Sequence, residues 1–482
     1  MKTPLFAGLI AVLALAGCAT GPWDTPGVIE KPAATAPELA PSATVTLKAD
    51  IAIDRWWTVF GDDKLNRLME EALAHNADLE TAVGRVSEAK ASLEVVGAAQ
   101  SPTLDAQAQS GREQRSAVGA IPLPPNNRQF SSNRVQLSAG YEVDLFGKLS
   151  ASTQAARNQL LATEWARATV EWSLTSQLAE TYFDLAAVDR QIVISEAVRA
   201  GREATVKLRR REHEVGSGNE FDLRRAEAEL TGTEATLATL SRQRATLEHS
   251  LNLLLGRTPA EIASRSLPRS AIDESGAYSA VLPQGAAADF LVRRPDVKQA
   301  EAQLAAANSS IEAARAATLP SLRLSGAVGS DAKHVSDLFS GPAGIWSLFA
   351  SAAQPIVDGG RLKAQVREEH ARGEQALSGY RKAVAAAFLD LREAYEGLDI
   401  TEQAYRAQRA RVAALSRARD LANLGYRSGA FSYLDVLDAE RNWYQAQLDQ
   451  VSAYRDQLTG QIAAFKALGG GYASTDSTQS TN

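Results

Sequence analysis

The sequence predicts a mainly α chain with a β-barrel portion. Three observations lead there: one stretch occurs twice at a fixed offset, long proline-free runs carry a heptad seam, and short segments alternate strictly between apolar and polar residues. The repeated stretch runs from Gly147 to Gly256. Adding 213 carries Gly147 onto Gly360, Lys148 onto Arg361, Leu178 onto Leu391, Glu180 onto Glu393, Tyr182 onto Tyr395, Gly216 onto Gly429, Asp222 onto Asp435, Glu227 onto Glu440 and Gly256 onto Gly469. No insertion or deletion intervenes, so the stretch is an internal duplication.

No proline lies between Pro125 and Pro259, and none follows Pro355. Nothing in either copy therefore forbids a very long helix. From Lys148 to Glu214 the only glycine is Gly201, and a helix of that length is a rod of roughly 100 Å. Its apolar positions alternate spacings of four and three through Leu174, Leu178, Thr181, Leu185, Val188 and Ile192, answered by Ala387, Leu391, Ala394, Leu398, Thr401 and Tyr405. That is a heptad seam. The rod breaks at Val215 to Asn219 and again at Gly425 to Gly429, with Gly216, Gly218, Gly425 and Gly429 as the tip turns. Each copy is then a long antiparallel helical hairpin.

With 45% hydrophobic and 22% charged residues the chain can bury a large core. Its formal charge of -6 argues against a nucleic-acid partner. The histidines at 75, 213, 249, 334 and 370 lack metal-ligand or triad spacing, and there is no glycine-rich phosphate loop. Neither an enzyme nor a cofactor is expected.

Residues 1–17 combine a basic start with an apolar run too short to span a bilayer, which reads as a secretory signal. The only cysteine, Cys18, closes Leu15-Ala16-Gly17-Cys18, which resembles the bacterial lipobox; acylation there would anchor the chain without making it span. Ala19 after it favours, by analogy, outer membrane sorting. Prolines at 22, 26, 32, 37 and 41 make residues 18–50 a tether. Globular patterning starts at Trp56-Trp57, and Asp62 reads as a helix cap. A second seam, Leu79, Ala82, Val86, Ala89, Leu93 and Val96, recurs 218 residues later as Val297, Ala300, Leu304, Ala307, Ile311 and Ala314. The same shift carries Pro102 onto Pro320.

The interval between each proline and the next glycine-basic pair alternates with period two. Val135, Leu137, Ala139, Tyr141, Val143 and Leu145 alternate with polar residues and glycine, as do Leu104, Ala106 and Ala108; Leu322, Leu324 and Val328; and Trp346, Leu348 and Ala350. Each half thus supplies a hairpin of two strands, at about 101–147 and 319–357. A soluble four-stranded sheet packed on helices would show the same alternation. In lipid, four strands cannot close a barrel and their edges would stay unpaired. Three copies give twelve strands around one lumen.

These residues resemble the TolC-like outer membrane factor family, in its lipoprotein branch associated with resistance-nodulation-division (RND) efflux pumps, often labelled NodT. The motifs carrying the likeness are the lipobox, Trp56-Trp57, Asn76-Ala77-Asp78-Leu79, Tyr141 to Lys148, Leu254 to Pro259, Phe290 to Val297, Leu319 to Leu322 and Gln354 to Arg361. Val292 departs where relatives add a basic residue. The resemblance implies a trimer with a twelve-stranded outer membrane barrel, a periplasmic α-barrel, and Pro102, Gly147, Pro320, Pro355, Gly359 and Gly360 where strand becomes helix. It also implies a periplasmic adaptor and an inner membrane RND transporter as partners.

The layout expected is a signal (1–17), anchor and tether (18–50), first repeat (51–256, helical hairpin 148–256), linker (257–288), second repeat (289–469, helical hairpin 360–469) and a disordered tail (470–482). The tips would meet at the periplasmic mouth. In the family a tip tyrosine and two carboxylates help form the constriction, which the likeness carries onto Tyr426, Asp435 and Asp438. Phe431 stands where relatives can have a basic residue, so the closed-state bonding differs. Threefold symmetry would make each aspartate a ring, repelling itself and attracting cations. The expected function is a passive exit duct for small toxic compounds such as drugs or metal ions. A protein-secretion duct and a lipid-anchored periplasmic coiled-coil scaffold are the alternatives.

Overall fold

The computed structural model describes residues 28–31, 53–116, 128–270, 272 and 293–469. The signal, Cys18, the rest of the tether, Pro122, Pro124, Pro125, most of the linker, Phe290 to Val292 and the tail lie outside the described residues. In order come a 3₁₀ helix Ile53–Phe60, α1 (Asp63–His75), α2 (Ala77–Ala98), β1 (Thr103–Gln114), β2 (Gln129–Val143), α3 (Lys148–Glu214), α4 (Glu220–Leu254), α5 (Pro259–Ser264), α6 (Pro295–Ala316), β3 (Ser321–Ala332), β4 (Gly344–Ala353), α7 (Arg361–Arg427) and α8 (Tyr433–Ala467). Both ends of α3 and α4 land on those of α7 and α8 at the offset of 213, while α2 and β1 land on α6 and β3 at 218. The linker is not wholly irregular: α5 forms in it, because Thr258 and Glu261 make a capping box and Pro259 sits at its first turn.

The chain divides into two compact units. One comprises residues 1–32, 87–162 and 300–380, the other 33–86, 163–299 and 381–482.

The first unit contains the sheet, an antiparallel meander in the order β1-β2-β3-β4. The two hairpins are joined through β2 and β3, with Asn133 opposite Ala332 and Val143 opposite Leu322. Register decides which face each side chain takes. Here Leu104 pairs with Ala139, Ala106 with Leu137 and Ala108 with Val135; Leu137 with Val328 and Tyr141 with Leu324; Val328 with Trp346, Gly326 with Leu348 and Leu324 with Ala350. All four alternations therefore fall on one apolar face. The opposite face carries Gln107 bonded to Gln136 at 3.2 Å and Arg134 bonded to Asp331 at 2.5 Å. Among the described residues nothing covers Trp346, 81% exposed, Leu348, 76%, or Leu104, 71%, on the apolar face. A sheet buried on helices, the soluble alternative, is not what these strands form.

In the same unit a short strap docks on the helices. Asn308 of α6 clamps the backbone of Ile29, accepting from its N–H at 3.1 Å and donating to its carbonyl at 3.0 Å. Lys31 pairs with Glu301 at 2.5 Å and lies over the Tyr380 ring.

The second unit holds the main core. Trp56 stacks on Phe465 at 5.7 Å, and Phe60 packs on Phe183 at 5.1 Å. Leu178, Leu185, Leu251, Leu255, Leu458 and Ile462 are buried, each contributing about 1.5–3 kcal/mol. Asp62 caps α1 through the amides of Lys64 and Leu65 and accepts from the Tyr182 hydroxyl at 2.7 Å and the Ser270 hydroxyl at 3.1 Å. Arg257 grips Glu71 with two bonds, at 2.7 and 3.0 Å. Arg294, only 2% exposed, is neutralised by Asp296 and Asp390 at 2.8 and 2.7 Å. A buried cation demands that pairing.

Candidate functional site

The two helix tips, both in the second unit, are built by the same hydrogen bonds. The Glu212 carbonyl accepts from Ser217 and Gly218, both at 2.9 Å; its counterpart, the Gly425 carbonyl, accepts from Ala430 at 2.8 Å and Phe431 at 3.2 Å. Gly216 and Gly429 take φ of +73° and +75°, the left-handed region that ends helices and suits glycine. Gly218 packs where an added Cβ would lie 2.8 Å from that of Glu212. Gly425 needs correction: α7 continues past it to Arg427. Its missing Cβ instead leaves room for the Phe431 ring.

The three residues assigned to the constriction make no hydrogen bond to one another; each is bonded to other partners. Tyr426 lies in the last turn of α7, half-buried, its ring 6.0 Å from that of Tyr433 beside buried Ala422 and Val436. Asp435 and Asp438 are exposed on α8. Asp435 completes a capping box, accepting from the Ser432 amide at 2.8 Å and its hydroxyl at 2.7 Å. The Ser432 hydroxyl and amide hold its carboxyl below the usual carboxylate range. Asp438 accepts from Arg441 at 2.9 Å and Asn442 at 3.0 Å, whereas Gln445 donates to Asp449.

The Tyr426 hydroxyl accepts from Arg209 at 2.8 Å. Arg209, on α3 of the first copy, also bonds Glu212 at 2.7 Å and lies 4.1 Å from the Tyr433 ring centroid. Burial opposes its charge, but Tyr426 and Glu212 outweigh it and the guanidinium is held ionised. Burial pushes the Tyr433 hydroxyl up despite that cation. The sequence reading missed Arg209. Its counterpart at 213 is the buried Ala422, so an arginine in place of a small core residue was the signal available.

Of the junction residues, Pro102 and Pro320 immediately precede β1 and β3, and Pro355 follows β4. Gly147 precedes α3 with φ of +76°, and Gly359 and Gly360 precede α7 at +67° and +84°. Among the described residues no group of three or more His, Cys, Asp or Glu is placed to hold a metal ion. No described helix is long and apolar enough to cross a membrane.

The profile of the family described as "Outer membrane efflux protein" matches residues 68–257 and 287–470, one block in each half. The chain belongs to the outer membrane efflux protein family. The Pyoverdine export outer membrane protein OpmQ of Pseudomonas aeruginosa is 33% identical over 427 residues, covering 88% of each chain. The Cation efflux system protein CusC of Escherichia coli K12 is 29% identical over 95% of this chain and 97% of its own. The crystal structure of the open state of the Neisseria gonorrhoeae MtrE outer membrane channel matches at a TM-score of 0.80 and 30% identity, over 93% of this chain and 98% of that one. The fold of this outer membrane efflux protein is thus that of solved outer membrane channels.

Proposed function

We propose that this outer membrane efflux protein is the passive exit duct of a tripartite RND-type pump, formed by three copies around one lumen. The observation that carries the reading is the uncovered apolar sheet face with an open strand at each edge. The four strands among the described residues leave β1 and β4 with one unpaired side each, and in lipid only closure removes such edges. Threefold closure gives a barrel within the size range of membrane barrels. Cys18 is the lipidation site, and the tether brings it to the outer membrane. A periplasmic adaptor and an inner membrane transporter complete the pump. OpmQ and CusC are named for pyoverdine export and for cation efflux; a small molecule or metal ion is accordingly the cargo class here. A scaffold with a soluble sheet would leave Trp346, Leu348 and Leu104 in water.

Tyr426, Asp435 and Asp438 form the gate at the periplasmic mouth. Tyr426 ties the two hairpins through Arg209, while the two carboxylates, already bonded within their own chain, present exposed negative charge. The test is the pair Asp435→Ala with Asp438→Ala in planar bilayers, where single-channel conductance should rise or cation preference fall. Unchanged conductance and unchanged selectivity would place the gate elsewhere.

A further inference from the structure

Where the strands meet the long helices, the first unit contains a cavity of about 180 Å³ whose lining includes Glu142, Asp144, Lys148, Pro355 and Arg361. Lys148 and Arg361 are the first residues of α3 and α7 and equivalent at the offset of 213. A cation at a helix N-terminus opposes the helix dipole, so neither charge is explained by helix formation. Capping is done instead by Asp144, which accepts from the amides of Leu149 and Ser150 at 3.0 and 2.8 Å, and by Asp358, which accepts from those of Gly360 and Leu362 at 2.9 and 3.0 Å.

In the first copy the cation is balanced: Lys148 is paired with Glu142. Adding 213 to Glu142 gives Pro355, so the second copy keeps the cation without the equivalent carboxylate; the acid it does feel, Asp358, is engaged first by the backbone amides of Leu362 and Gly360. Arg361 is exposed, donates to Gln365 at 3.3 Å, and makes no ion pair among the described residues. Beside this cavity the chain displays large apolar side chains to solvent: Leu145 is 64% exposed, Ile356 84% and Val357 91%. Apolar side chains left bare next to an exposed guanidinium that makes no ion pair among the described residues fit the boundary between acyl chains and headgroups. A planar guanidinium with open donors suits a phosphate, which it can meet with two parallel bonds.

We propose that this cavity binds the phosphate of a glycerophospholipid headgroup at the periplasmic surface of the membrane, with Arg361 as its main ligand and Lys148 as a second. The inference rests on the reading that the sheet lies in a bilayer.

The test uses the full-length protein in a phosphate-free detergent, with lipid retention read by native mass spectrometry. The probes are phosphatidylethanolamine, diacylglycerol as the phosphate-free counterpart, and inorganic phosphate. Wild type should retain the phospholipid and not diacylglycerol. Arg361→Gln should lower retention about tenfold and Arg361→Lys should recover part of it. Glu142→Gln, which releases Lys148, should raise retention and serves as the readout if Arg361→Gln does not fold. Equal retention of diacylglycerol, or retention indifferent to both charge variants, overturns the proposal. Competition by inorganic phosphate as effective as phospholipid itself would make the ligand a free anion and overturn the lipid assignment. Insertion is read separately by proteoliposome flotation: wild type failing to insert sinks the membrane reading, whereas insertion with unaltered lipid retention sinks this proposal alone.

Discussion

Glu227 and Glu440 occupy the same place in the two copies and titrate in opposite directions. Arg210 and then Arg224 hold Glu227 below its ordinary value. Burial pushes Glu440 above it, although the Asn423 side chain, Arg202 and Arg419 oppose the shift. Between the ordinary value and the raised one, the folded chain keeps a proton that the unfolded chain has released. Glu440 therefore adds stability below the ordinary carboxylate value, and that contribution is lost as pH rises through the raised one. Glu440→Gln should accordingly raise the melting temperature at about pH 7.5, with the gain vanishing below about pH 4; a gain that persists in acid, or a loss at neutral pH, would contradict the assignment. Equivalence of the two glutamates was legible from a constant offset. Their divergence was not, because it depends on the burial of Glu440 and on the arginines that reach Glu227, and heptad spacing chooses neither.

The long helices were legible because only proline or a capped glycine ends a helix decisively, and both copies lack the first and place the second at matching positions. The seam was legible in α7, where Ala387, Leu391, Ala394 and Tyr405 are buried. In α3 it understated the core: Ala179, Tyr182, Phe183, Ala186 and Ala187 are buried besides Leu174, Leu178, Leu185, Val188 and Ile192 of the seam, whose Thr181 is not buried, since this part of the helix packs within the main core rather than along one neighbour. Side-chain ties between hairpins were hidden for the same reason. Arg209 of α3 reaches Tyr426 of α7 and the ring of Tyr433 on α8. Its side chain is 11% exposed, and a hydrogen bond from a charged donor contributes about 1.5–3 kcal/mol. Arg209→Ala should destabilise the fold by about that amount and raise channel conductance in planar bilayers, with Tyr426→Phe giving the same changes at smaller size. An Arg209→Ala channel that melts lower but conducts as wild type would restrict the tie to a structural role.

Assembly cannot be read from one copy, yet one copy makes it necessary. Alternation along each strand was visible in the sequence, but only the register shows that all four apolar rows share one face, and only the structure shows that face bare. The proposed gate, lipid anchor and headgroup cavity all presuppose that this face meets lipid and that β1 and β4 find partners in sister chains. The most direct test is the mass of the unheated, detergent-extracted particle, combined with its conductance in a planar bilayer. The account predicts a particle of three chains, needing detergent for extraction and dissociating on heating, that opens ion-conducting pores. A single chain released without detergent, or a trimer that conducts nothing, would contradict it.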